Sequence, residues 1–340
     1  MRDLLATFLD ERTAELADLD PALEEVGAEV AALVAAGGKG LRPAFVYWGH
    51  RASGAAHEPR VLAPAAAVEL LHTFALIHDD VMDRSAERRG RPSAHASFER
   101  NHTAGRLLGD ARWFGIGGAI LAGDLAFVWA DQLFDEADLP AEALARARSV
   151  FTRLRVEVMA GQYLDLRLAG LPEAGERNAL DVALLKSGRY TVTRPLQLGA
   201  AIGGAGPLLD AALSAYGDAV GVGFQLRDDL LGLFGDSRRM GKDALSDLRE
   251  GKRTVLMLRA LRLATATQRA TLVRLLGDEA LDEEQAEQAR SIVTETGAVA
   301  DVERMIGQKR DAAVRALVPV PAQARAALLE LAQFALFRSA

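Results

Sequence analysis

The run from Gly115 to Phe134, GIGGAILAGDLAFVWADQLF, is rich in glycine and apolar on nearly every side when wound as a helix. Such a helix offers water almost no face, so it predicts a buried central element that other elements must surround. The rest of the chain supplies helices for that purpose. Ala and Leu dominate, β-branched and aromatic residues are few, and no convincing alternating β-branched run appears. Of the 340 residues, 50% are hydrophobic, ample for a large core. The expectation is an all-α chain folded as a single large helical domain over residues 1–340.

Leu4, Leu5, Phe8 and Leu9 give the first segment an apolar face, and Asp20-Pro21 then caps and opens a second helix that stops at Gly37-Gly38. Pro43 opens the next helix, which ends near Ser53-Gly54. Arg60 to Asp83 reads as one long helix with Pro64 in its first turn, followed by a polar loop over 84–92. Further helices are expected at Ser93–Asn101, Gly115–Phe134, Pro140–Leu168, Arg177–Tyr190, Pro195–Ile202 and Pro207–Phe234. A charged loop over 235–252 precedes a series of amphipathic helices broken at Gly277, Gly297 and Pro319/Pro321.

The formal charge of −7 argues against broad nucleic-acid binding. There is no cysteine, which excludes disulfides, thiolate catalysis and Cys-based metal sites. The segment MRDLLATFLDERTAEL lacks a signal peptide's unbroken apolar core. The uncharged run Trp113–Gly123 is too short to span a bilayer. A soluble, cytoplasmic protein with no transmembrane segment is expected.

Leu71 to Pro92, LHTFALIHDDVMDRSAERRGRP, carries the first chemical signal. An apolar helix ends in three carboxylates, with Asp79 and Asp83 on one face and Asp80 about 100° round. Like charges at that spacing repel, and a helix C-terminus is the unfavourable end for negative charge. Something cationic must offset them: a hard metal ion, or Arg88 and Arg89. A second acidic helix end follows at Gln225-Leu226-Arg227-Asp228-Asp229, and the loop behind it adds Lys242, Asp247 and Lys252. Mg²⁺ takes one or two carboxylates and fills its remaining positions with water and phosphate oxygens. Two acidic helix ends with scattered Lys and Arg suit a metal-bridged diphosphate better than an all-protein metal cage.

Each feature alone has an ordinary explanation. A single DDxxD in an acidic helical protein is usually a solvated helix end, Lys39 and Arg42 alone are a basic loop, and His72 alone is a packing residue. Their joint occurrence carries the argument. The ordered motifs GGKGLRP (37–43), LHTFALIHDDVMD (71–83), RRGRP (88–92), GQYLD (161–165), KSG (186–188), FQLRDD (224–229) and GK…DLREGKRT (241–254) resemble those of the trans-type isoprenyl diphosphate synthases, the polyprenyl synthetase family. The motif-bearing part covers about residues 37–254. The resemblance implies the isoprenoid synthase fold around a central active-site cavity, usually as a homodimer.

By that resemblance, Asp79 and Asp83 hold Mg²⁺ on an allylic diphosphate, and Asp228 holds a further ion with Asp229 and Asp247 in support; about three ions are implied. Lys39, Arg42, His72 and Arg89 match the isopentenyl diphosphate site. Arg88, Lys186, Ser187, Gln225, Lys242 and Lys252 match the allylic diphosphate site, and Lys186, Ser187 and Gln225 could also turn dipoles towards an allylic cation. Asp165 lies in a motif that faces the metals without being a ligand. The implied reaction is a head-to-tail prenyl transfer by ionisation, condensation and elimination, with the proton passing to the released diphosphate.

Three departures from the family pattern stand out. Gly40 replaces a common Arg, which predicts a weaker grip on isopentenyl diphosphate; Gly232 replaces the last Asp of the second DDxxD; Ser187 replaces a more frequent Thr and keeps the hydroxyl. In the family, an aromatic five residues before an uninserted DDxxD, with a small residue four before, goes with a C20 product. Phe74 and Ala75 hold those positions, so geranylgeranyl diphosphate is expected, with farnesyl diphosphate second. The rival readings are a class I terpene cyclase, which would not need a second diphosphate site, and a non-catalytic helical partner subunit, which would not need both acidic pairs.

Overall fold

The computed structural model describes residues 1–171, 173–235 and 245–338, and these are almost wholly helical. The chain divides into two compact units: Met1–Tyr47 with Glu58–Leu144, and Trp48–His57 with Ala145–Ala340.

In the first unit, α1 (Arg2–Leu19), α2 (Glu24–Ala35), the start of α3 (Leu41–Ala52), α4 (Leu62–Met82), α5 (Ala94–Ala104) and α6 (Ala111–Asp135) surround a core built mainly on α4. The α4 side chains Ala65–Val68, Leu70, Leu71, Phe74 and Ile77 are all buried. Pro64 falls in its first turn, where no intrahelical N–H is needed. A short 3₁₀ turn, Pro59–Val61, leads into it, capped by the Glu58 carboxylate. Pro43 lies third in α3, so that helix opens at Leu41, two residues before the expected start.

The expectation for α6 needs correction. Its small residues do pack inward, and Gly123 lies so close to α4 that a Cβ there would come within 2.2 Å of the His78 ring. The helix is nonetheless not buried all round: Trp113 is 71% exposed, Leu121 64% and Val128 58%. These residues share one face, and among the described residues that face is uncovered.

The second unit is built on α7 (Ala141–Ala169), α8 (Glu176–Val182), α9 (Arg194–Ile202), α10 (Pro207–Phe234), the short α11 (Ser246–Arg249), α12 (Val255–Leu263), α13 (Ala266–Leu275), α14 (Glu283–Glu295), α15 (Ala298–Ala316) and α16 (Ala322–Phe337). Leu226, Leu230, Leu233, Leu248, Leu258, Val302, Ile306 and Leu336 belong to one buried cluster that draws these helices together. The break expected between Tyr190 and Pro195 is absent. Residues 183–193 continue the helix in π winding, and the Arg194 amide reaches back five residues to the Arg189 carbonyl. A proline collides with the carbonyl four residues earlier in an α-helix, and the wider winding just before Pro195 gives that carbonyl room.

Candidate active site

In the first unit the acidic helix end is met by a hairpin. Strands β1 (Glu87–Arg88) and β2 (Arg91–Pro92) pair antiparallel, Glu87 with Pro92 and Arg88 with Arg91. Arg89 and Gly90 both have positive φ, 54° and 71°, as a two-residue type I′ turn requires. The 84–92 loop expected from sequence is thus a tight hairpin at its tip, and neighbouring arginines leave it in different directions.

Arg88 turns to the carboxylates. Its Nε donates to Asp80 Oδ1 at 2.7 Å, a second, shorter bond runs from Nη2 to the same oxygen, and Nη2 lies 3.5 Å from Asp79 Oδ2. Asp80 is only 1% exposed, and burial pushes its carboxyl up to about 6 despite the Arg88 charge. Arg88 therefore supplies the cation that the cluster demanded, and takes it chiefly to the buried Asp80. Asp79 and Asp83 stay partly exposed at the end of α4, with the Asp83 amide bonded to the Asp79 carbonyl at 2.8 Å.

Arg89 turns the other way. Its Nη1 donates to the Leu33 carbonyl at 3.0 Å, and its guanidinium lies against Gly38, where an added Cβ would stand 2.9 Å from Nη2. The RRGRP hairpin is thereby brought to the GGKGLRP loop. His72 is held neutral there: burial lowers its pKa well below the ordinary value, and the charges of Arg42, Arg89 and Arg88 lower it further. Lys39 is exposed on the same loop. Gly40 has φ 63° with open space around it, so an arginine there would meet backbone strain and no steric obstacle.

Phe74 packs edge-on against Phe127 of α6, centroids 5.1 Å apart, and against His78 at 4.8 Å. Ala75 is half-buried beside it. His78 Nε2 is 3.0 Å from the Ile120 carbonyl, which fixes the ring against α6. Sequence reasoning found Phe74 and missed Phe127. The only signal would have been an aromatic in a run of small residues.

In the second unit, Lys186 and Ser187 sit on the π-helical stretch. Lys186 Nζ contacts Asp165 Oδ2 at 2.6 Å, a pairing that links GQYLD to KSG. The Ser187 hydroxyl donates to Gln225 Oε1 in a short bond, and Gln225 Nε2 donates to Asp229 Oδ1 at 2.8 Å. KSG is thus tied to GQYLD through Lys186 and to FQLRDD through Ser187. Asp229 is buried, and burial pushes its carboxyl up to about 7, with the Asp247 charge adding to the effect. Asp247 also lies 3.6 Å from Lys252, whose ammonium contacts Glu250 at 2.8 Å. Asp228 is more exposed and is met by Arg338, whose guanidinium also stacks 4.3 Å over the Phe224 ring. Nothing in the sequence pointed to Arg338. Lys242 lies outside the described residues.

The donor chemistry fits Mg²⁺. Asp79, Asp83 and Asp228 offer carboxylate oxygens, as a hard cation requires, and Asp228 already attracts a cationic side chain. Among the described residues no group of three or more acidic or histidine side chains converges as a ready metal site. Water and substrate oxygens would complete the coordination.

The profile of the family described as Polyprenyl synthetase matches residues 24–293. A geranylgeranyl diphosphate synthase of Sulfolobus acidocaldarius is 33% identical over 77% of this chain and 74% of its own length. A (2E,6E)-farnesyl diphosphate synthase of Mycobacterium bovis is 34% identical over 89% of this chain and 80% of its own. The crystal structure of a geranylgeranyl pyrophosphate synthase from Corynebacterium glutamicum, complexed with isoprenyl diphosphate and magnesium, is 38% identical with a TM-score of 0.95, covering 99% of this chain and 97% of that one.

Proposed function

The chain belongs to the polyprenyl synthetase family, and from that premise we propose that it condenses isopentenyl diphosphate with an allylic diphosphate to make geranylgeranyl diphosphate. The observation that carries this reading is the divergence of Arg88 and Arg89. One faces the Asp79–Asp80 carboxylates, and the other joins the Gly38 loop near Arg42 and His72. A terpene cyclase has one diphosphate to hold. A separate cationic set beside an acidic helix end supports two.

In this reading Lys39, Arg42 and Arg89 grip isopentenyl diphosphate. His72, kept neutral, can donate one hydrogen bond without adding charge. Asp79 and Asp83, and separately Asp228 with Asp229 and Asp247, would hold Mg²⁺ for the allylic diphosphate. When bound, Mg²⁺ would supply positive charge to the leaving diphosphate. Lys186 and Lys252 contribute further positive charge at the diphosphate, as does Arg88 through the part of its guanidinium not taken by Asp80. Ser187 and Gln225 orient their dipoles at the ionising end. The isopentenyl double bond attacks the allylic carbon, and the departing diphosphate accepts the proton then lost, so no dedicated base is required.

The aromatic pair Phe74–Phe127 supports a floor that stops the growing chain at C20. The single functional domain takes in both compact units, since the family match runs through each. The α6 face with Trp113, Leu121 and Val128, uncovered among the described residues, supports a homodimer.

Incubation with isopentenyl diphosphate, Mg²⁺ and each of the C5, C10 and C15 allylic primers, read by mass spectrometry, tests the reading. Consumption of isopentenyl diphosphate with C20 accumulation is expected. A C15 end point would make it a farnesyl diphosphate synthase. Hydrocarbon release without isopentenyl diphosphate would make it a cyclase, and no turnover by the purified chain would leave the partner-subunit reading.

A further inference from the structure

The most unusual backbone in the chain is the π-helical stretch 183–193, and it carries Lys186 and Ser187. π winding is rare beyond a single turn, so eleven residues of it need support from outside the segment. Rewinding the stretch as α-helix would change the residues per turn and swing Lys186 and Ser187 away from Asp165 and Gln225.

Helices α7 and α10 provide the support at two levels. At the upper level they hold the reacting end, through Asp165 to Lys186 and through Gln225 to Ser187. At the lower level α7 presents Glu157, which accepts from Arg194 Nε at 2.7 Å and from Arg194 Nη2 at 2.6 Å. There α10 presents Asp218, which accepts from the Thr193 hydroxyl at 2.7 Å. Arg189 spans the two, 3.5 Å from Glu157 and 3.4 Å from Asp218. Glu157 lies eight residues before Asp165, and Asp218 seven before Gln225, about two turns in each helix. Between the levels the backbones touch. A Cβ at Gly161 would lie 2.4 Å from the Lys186 nitrogen, and one at Gly221 would lie 2.3 Å from the Gly188 Cα.

We propose that Glu157 and Asp218 are positioning residues: through Arg194, Arg189 and Thr193 they lock the π segment in the register that presents Lys186 and Ser187 to the allylic diphosphate. The inference rests on the prenyl-transfer reading above and assigns a task to residues outside its motifs. A buried ion pair contributes little net stability compared with apolar packing, whereas a paired charge can specify register. The Arg194 side chain is only 8% exposed and that of Glu157 16%, and both bond in a bidentate arrangement that tolerates one alignment.

The test measures KM for each substrate in Glu157→Gln, Asp218→Asn and the exchange Glu157→Arg with Arg194→Glu, against Tyr216→Phe. The last variant removes a buried hydroxyl bond to the Leu328 carbonyl, on the same helix as Asp218 but bonded to none of Glu157, Arg189, Thr193 or Arg194, and serves as the stability control. Displacement of Lys186 and Ser187 by about an ångström predicts a rise of about tenfold in KM for the allylic diphosphate in both single variants. KM for isopentenyl diphosphate should change by less than about twofold, and the exchange should recover most of the loss. Tyr216→Phe should lower Tm and leave both KM values in place.

Equal shifts in both KM values, no shift, or the same shift in the control would overturn the lock. Should Glu157→Gln fail to fold, the half-exposed Asp218→Asn decides alone. A wild-type protein that never consumes isopentenyl diphosphate overturns the parent reading and the lock with it. An active wild type with unaltered variants overturns the lock only.

Discussion

Asp247 occupies the space beside Gly232: a Cβ on that glycine would come within 2.2 Å of Asp247 Oδ2. The glycine stands where the family's second DDxxD usually ends in aspartate, and here a carboxylate from the following segment fills the place. Gly232→Asp, which restores the family spelling, should therefore lower activity by about tenfold by displacing Asp247. The double variant Gly232→Asp/Asp247→Ala should recover part of it. Steady-state rates at saturating Mg²⁺ decide the matter, and a gain from the single change would show that the two carboxylates do not compete.

Phe74 and Phe127 close together as an edge-to-face pair from different helices. Replacing either with Ala should shift products beyond C20, and the longer products should dominate when both are replaced. Each loss of a largely enclosed ring should also lower stability by about 3–5 kcal/mol, so Phe→Leu variants are useful companions. Product chromatography that shows C20 alone from both alanine variants would remove this pair from chain-length control.

Asp80 and Asp229 carry raised pKa values in the metal-free fold, near 6 and 7. A carboxyl raised in the folded state binds more protons there than in the unfolded chain. Stability then falls as pH rises from the unfolded value, near 4, through the folded value. For one such group the slope is at most about 1.4 kcal/mol per pH unit. The chelated protein should lose Tm between pH 5 and pH 8, and Asp229→Asn should flatten the upper part of that fall. Adding Mg²⁺ with inorganic diphosphate at pH 8 should restore Tm, because bound ligand stabilises the folded state. A Tm that climbs over this range without metal would contradict the burial argument.

Arg338 meets Asp228, a carboxylate proposed to hold Mg²⁺, and burial, aided by the Arg227 charge, lowers the arginine's own pKa to about 10. Arg338→Gln should tighten Mg²⁺ binding in the presence of inorganic diphosphate by about fivefold, the worth of a modest ion pair. Titration calorimetry reads this without turnover. Unchanged or weaker binding would make the arginine a structural partner of Phe224 alone.

Much of this was legible in the residues. Helical periodicity set Asp79 and Asp83 on one face, and the structure keeps Asp83 one turn beyond Asp79 at the end of α4. Arg89 and Gly90 spelled a turn, but only the observed hairpin sends Arg88 to Asp80 and Arg89 to Gly38. The winding of 183–193 left no mark, because its residue types suit an α-helix equally well and its register is held by contacts from outside the stretch. Its support comes from Glu157 and Asp218, each more than two dozen residues away in the chain. The α6 composition suggested burial all round; one chain leaves Trp113, Leu121 and Val128 in water.

The amino-acid sequence by itself determined the helical class, the two acidic helix ends and the order of the motifs, since these depend on local spacing and residue type. The tertiary structure decided which charge meets which: Arg88 with Asp80, Lys186 with Asp165, Arg338 with Asp228, Asp247 in the space left by Gly232. Those pairings depend on backbone approach and burial between distant segments, and burial sets both the strength of each charge contact and the protonation of each carboxylate.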